Sequence, residues 1–154
     1  MKRTSWIAAI SSVVLLAMSA QQGSAVEPGG FSDRSFRGSY ALGIIGTVVS
    51  VGPVAGTGVL TSDGKGNLDG TQTISYGFGP CVLTLSGTYS VNPDGTGTGS
   101  VTVLSATGGG SLCASGNGSI VTFSFVLSGR GIADKIKLSE TSTGFAILAE
   151  GDRQ

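Results

Sequence analysis

Few residues in this chain could do chemistry, because the sequence contains no histidine. Ser-His-Asp and Cys-His catalysis, and histidine-based metal sites, are therefore excluded as they are usually built. Glu140 is the one acid in a suggestive position, since it continues the apolar alternation of Ile136 and Leu138. An acid that points into an apolar interior has its pKa raised by desolvation. Glu140 is thus a candidate catalytic group, with a solvated strand end as the alternative.

Turn chemistry explains the other acidic motifs. Asp63, Asn67 and Asp69 place three oxygen ligands within seven residues, but their spacing does not match a calcium-binding EF-hand loop. The Asp-Gly-Thr triplets at 69–71 and 94–96 reverse the Asp-Thr-Gly order of aspartic proteases. The sequence predicts no metal site and no cofactor, and it favours a role other than catalysis.

Cys81 and Cys113 are the only cysteines, and in an exported chain two thiols usually pair. We therefore predict a disulfide, with two buried free thiols as the alternative. A zinc site is a poor competitor, because two sulfurs without a histidine do not complete a typical zinc shell.

The first 25 residues are typical of a signal peptide. Lys2 and Arg3 precede an apolar run from Trp6 to Met18, and small residues follow up to Ala25. The run is too short to cross a bilayer comfortably. We expect a secreted or periplasmic protein without a membrane span, in which a flexible lead-in at residues 26–38 precedes a single domain at residues 39–154.

The predicted mature chain offers no basic surface for nucleic acid. Removal of the leader leaves seven of the nine basic side chains against nine acidic ones, and the basic ones are scattered. Phosphate binding needs clustered Lys and Arg. We expect no nucleic-acid partner.

A hairpin motif occurs twice, 31 residues apart. Gly56-Thr57 leads to Asp63-Gly64-Lys65-Gly66, and Gly87-Thr88 leads to Asp94-Gly95-Thr96-Gly97. Asp-Gly between runs rich in Val, Leu, Thr and Tyr reverses an antiparallel strand. The motif therefore predicts consecutive hairpins.

Eight short strands connected mostly by short turns leave two architectures open, an antiparallel up-and-down barrel and a two-sheet sandwich. The sequence favours the eight-stranded meander barrel, because neighbouring strands are joined by hairpins and closure removes both unpaired edges.

The repeated hairpins resemble a pattern found in uncharacterised exported bacterial proteins. The predicted meander also resembles small barrels of the lipocalin, avidin and allene-oxide-cyclase type. No site residue transfers from these families. The only tryptophan, Trp6, lies in the leader, and Gly38-Ser39-Tyr40 stands where a lipocalin carries Gly-x-Trp. The resemblance implies a barrel and no particular ligand.

Three functions fit the predicted barrel. The first is binding of a small apolar molecule or a partner, with the pocket lined by Tyr40, Leu42, Tyr89, Phe123 and Phe125. The second is a structural or surface role for a fully packed barrel. The third is a cofactor-free cyclase or isomerase, for which Glu140 is the natural test.

Overall fold

The computed structural model describes residues 30–77 and 79–154, apart from the side chain of Leu112. The predicted signal peptide at residues 1–25 lies outside the described residues.

The described chain forms one closed barrel of eight antiparallel strands. Each strand pairs with its neighbours in sequence, and the last strand pairs with the first over Tyr40↔Arg153 to Val48↔Phe145. This order confirms the up-and-down meander and shows that the sandwich alternative is wrong. The strands are β1 (Gly38–Val48), β2 (Gly52–Ser62), β3 (Asn67–Tyr76), β4 (Gly79–Val91), β5 (Thr96–Gly108), β6 (Ile120–Arg130), β7 (Ile132–Glu140) and β8 (Phe145–Arg153).

Two short helices complete the fold of the described residues. A 3-10 helix, η1 (Asp33–Phe36), precedes β1, and a single α-helical turn, α1 (Ser111–Ala114), lies in the long connection between β5 and β6. The chain enters β1 at the end of the barrel that holds the β2–β3, β4–β5 and β6–β7 turns. We call this the plugged end, and the opposite end, which holds the other four connections, the open end.

The repeated motif forms the first two turns of the plugged end. The Asp63 carboxylate accepts hydrogen bonds from the backbone N–H of Lys65, at 2.7 Å, and of Asn67, at 3.1 Å. Asp94 accepts one from the N–H of Thr96 at 2.9 Å. Gly64 follows Asp63 with φ +74°, a left-handed conformation that glycine adopts without strain. Local turn chemistry therefore sets the two hairpins.

Inside the barrel, small residues on one strand accommodate large residues on the next. Gly97 and Gly99 of β5 pair with Phe125 and Phe123 of β6, and a Cβ added at either glycine would collide with the paired ring. On β2 it is Leu60 that points inward, with 5% of its surface exposed. Gly97 and Gly99 thus leave room for the two phenylalanine rings in a barrel of small radius.

Candidate ligand-binding site

Helix η1 closes the plugged end of the barrel. Its last residue, Phe36, is completely buried. The Phe36 ring centroid lies 5.1 Å from that of Tyr40, 5.0 Å from that of Tyr89 and 5.2 Å from that of Phe125. Offset or edge-on aromatic contacts at such distances are favourable. We call these four residues the plug cluster.

Hydrogen bonds fix both tyrosines of the plug cluster. The Tyr40 hydroxyl donates to the Ala133 carbonyl at 2.9 Å. The Tyr89 hydroxyl donates to the Asp33 carbonyl at 3.0 Å and accepts from the Ser62 hydroxyl at 2.7 Å. Because buried polar groups need partners, these bonds hold the rings in the core.

The plug cluster corrects two parts of the sequence analysis. Residues 26–38 were expected to be a flexible lead-in, but residues 33–36 form a helix whose Phe36 is buried in the core. Tyr40, Tyr89 and Phe125 were expected to line a ligand pocket, but they fill the plugged end around Phe36 and lie outside the cavity described next. The physical reason is that Phe36 occupies the space between them.

A cavity of about 380 Å³ occupies the other half of the barrel and reaches the open end. Its wall is mainly aliphatic and comes from all eight strands. Two predicted pocket residues, Leu42 and Phe123, line it. The buried aliphatic side chains in this wall include Ile44, Leu60, Leu83, Leu85, Val103 and Ala149.

The connection between β5 and β6 covers part of the open end. The disulfide between Cys81 and Cys113 ties α1 to the start of β4, with the two Cα atoms 5.6 Å apart. This confirms the predicted pairing. Both cysteines line the cavity, as do Ser115 and Ser119 of the same connection. The disulfide thus fixes part of the cavity wall.

Glu140 ends β7 and lines the cavity, as the apolar alternation indicated. Its Oε1 atom is buried and has no hydrogen-bond partner among the described residues. Burial raises the pKa of this carboxyl group above its ordinary value, and a hydrogen bond with Ser142 opposes the rise. A desolvated acid of this kind can bind a polar group or exchange a proton with it.

Two further polar side chains reach the cavity from β3, and the sequence analysis missed both. Gln72 and Tyr76 are half-buried and line the wall. Burial raises the pKa of the Tyr76 hydroxyl, and the negative charge of Glu140 raises it further. The sequence pattern could have indicated both residues, because they lie on the same face of β3 as the inward-pointing Leu68 and Ile74.

Among the described residues that line the cavity, Glu140 is the only charged one. Within residues 30–77 and 79–154 no group of three His, Cys, Asp or Glu side chains is placed to hold a metal ion. In the same part of the chain, no helix has the length and apolar character needed to cross a membrane.

Comparison with family models, with curated proteins and with solved structures found no match to this chain.

Proposed function

We propose that the protein is a secreted or periplasmic barrel that binds one small, mainly apolar molecule in the cavity of its open half. The observation that carries this proposal is an apolar cavity of about 380 Å³ in a barrel whose other end is plugged by Phe36. Ligand pockets are typically concave, mainly apolar and fitted with a few polar groups. Eight-stranded barrels are wide enough to hold one small ligand.

The volume sets the size of the ligand. An apolar cavity of about 150 Å³ takes one benzene molecule, so a cavity of about 380 Å³ fits a molecule of roughly two fused or linked rings, or an aliphatic chain of similar bulk. Gln72, Tyr76 and Glu140 supply polar contacts in the cavity wall.

The cavity bears on the two alternative functions. A purely structural barrel has no need of an apolar cavity, since close packing of the core stabilises a fold. The cyclase or isomerase alternative is favoured by one observation, the desolvated carboxyl group of Glu140 in the cavity wall. That arrangement suits a general acid, but it serves equally well to bind a polar group.

The Cys81–Cys113 disulfide supports the proposed compartment, because disulfides persist in the bacterial periplasm and outside cells.

Replacing each of two alanine residues of β8 by phenylalanine tests the proposed function. Ala149 is buried against the cavity, whereas Ala146 on the same strand points outward and is exposed. The probe is N-phenyl-1-naphthylamine, whose fluorescence rises in apolar surroundings. We expect one probe per chain, binding at least tenfold weaker in Ala149→Phe, and unchanged binding in Ala146→Phe.

Two results would overturn the proposal. One is a folded parent protein that binds no probe. The other is equal binding by the two phenylalanine variants, which would place the probe on the outer surface. Ala149→Leu provides a smaller filling change in case the phenylalanine overpacks the wall, a fault that costs about 1–3 kcal/mol in a filled core.

A further inference from the structure

The cavity wall carries an acidic but no basic side chain among the described residues. Of the residues that the structure describes in its wall, Glu140 alone is charged, and none is a Lys or an Arg. The Oε1 atom of Glu140 is removed from solvent and accepts no hydrogen bond in the described chain. Buried polar atoms without a partner are rare and costly in folded proteins. The carboxyl group of Glu140, which lines the cavity and keeps one oxygen unpaired, therefore marks a place for a hydrogen-bond donor on the ligand.

The surroundings of Glu140 show why the protein itself does not supply that donor. The directly paired residue on β6 is Phe123, whose side chain offers no hydrogen bond. Ser142, in the turn after β7, lies close enough to lower the pKa of the carboxyl group, and its hydroxyl oxygen accepts a hydrogen bond from the backbone N–H of Thr122. Tyr76 is on β3, four strands away around the barrel, so its hydroxyl group approaches from the facing wall. The space between the two walls belongs to the cavity.

We propose that the pocket selects an apolar molecule that carries a primary ammonium group, and that Glu140 is the residue that makes this selection. The inference rests on the proposed ligand-binding function. An ammonium group donates a charge-assisted hydrogen bond to a carboxylate, and such bonds are roughly twice as strong as those between neutral groups. A hydroxyl group in the same place gains less, and a carboxylate is repelled by an ionised Glu140.

Selection of an ammonium group also predicts a pH dependence. Because burial raises the pKa of Glu140, a larger fraction of this group is protonated in mildly acidic solution than for an exposed glutamate. The groups that face it are Tyr76 from β3, Ser142 from the turn and Phe123 from β6. The phenol of Tyr76 stays neutral below its own raised pKa. Affinity for the ammonium ligand should therefore rise with pH as Glu140 ionises, over a range that lies above the ordinary titration of a glutamate.

The experiment compares three probes of nearly equal shape, 1-naphthalenemethylamine, 1-naphthalenemethanol and 1-naphthoic acid, by calorimetric titration at pH 7.5. We expect the amine to bind at least tenfold more tightly than the alcohol, and the acid most weakly. Glu140→Gln, which keeps the size of the side chain, should remove the preference for the amine and leave the alcohol affinity within about threefold.

The matched control is Glu150→Gln, which changes the net charge equally. Glu150 is exposed on the outer face of β8, where its carboxylate lies 2.9 Å from the Lys137 ammonium. We expect this variant to keep the amine preference and its rise with pH.

The outcomes separate the inference from the proposed function. If the alcohol binds but the amine binds no tighter, or if the two glutamine variants lose amine affinity equally, the inference is wrong and the proposed function stands. If none of the three probes binds to the folded parent protein, both are wrong.

Discussion

Replacing Phe36 by alanine should destabilise the barrel severely, because this ring closes the plugged end. Phe36 has no exposed surface and packs on the rings of Tyr40, Tyr89 and Phe125 at centroid distances of 5.0–5.2 Å. Truncating a fully buried phenylalanine costs about 3–5 kcal/mol. Because alanine has no ring to pack on these three neighbours, we expect the upper part of that range, against a total of about 5–15 kcal/mol for a typical domain.

The assay is equilibrium unfolding in urea followed by circular dichroism, with Phe145→Ala as the matched control. Phe145 undergoes the same chemical change at the open end, where 41% of its surface is exposed. The control should cost less, about 1–2 kcal/mol, because a large part of the Phe145 surface is already exposed and truncation removes less buried area. Similar small losses of stability in both variants would refute the role assigned to Phe36 and to helix η1.

Three further perturbations test other parts of the structure. Cys113→Ser should lower the free energy of unfolding by about 2–5 kcal/mol; two free thiols in the denatured, unreduced protein would show that no disulfide forms. Glu140→Gln should stabilise the unliganded protein at pH 7 and lose this advantage at low pH. The carboxyl group of Glu140 binds its proton more tightly in the native state than in the unfolded state. The free energy of unfolding of the wild-type protein therefore falls as pH rises from about 4.5 through the raised native pKa. A stability difference between the two proteins that does not change with pH would contradict this reasoning. Gly87→Ala should cost about 1–3 kcal/mol or more, because the new methyl group meets the backbone of Ser100 and Val101. Gly43→Ala, which meets no atom within 4 Å, is its control, and equal stabilities of the two alanine variants would contradict the close approach of β4 and β5.

The barrel itself could be predicted from sequence, because its determinants are local. Alternation of apolar and polar residues marks the strands, and Asp63-Gly64 and Asp94-Gly95 reverse the chain through hydrogen bonds within a few residues. Short turns between neighbouring strands then leave few topologies. The disulfide followed from the number of cysteines and the expected compartment.

The position of the pocket along the barrel could not be predicted in this way. Strand alternation tells which side chains point inward, and it correctly placed Leu42, Tyr89 and Phe125 inside. It does not tell how far each one lies from either end, because that depends on strand stagger and on what closes the barrel. Phe36 determines which end of the barrel is closed. The 3-10 helix that carries it has only four residues, too few to show a periodic pattern in the sequence.

The most direct test of whether the open half of the barrel holds a small molecule is a methyl-resolved NMR titration with 1-naphthalenemethanol. We predict shifts confined to methyl groups of the cavity wall, such as Leu83, Leu85 and Val103. Leu68 and Ala133, which are buried but do not line the cavity, should remain unchanged. Shifts confined to outward-facing Ile45 and Leu148, or no shifts at all, would contradict ligand binding in the cavity.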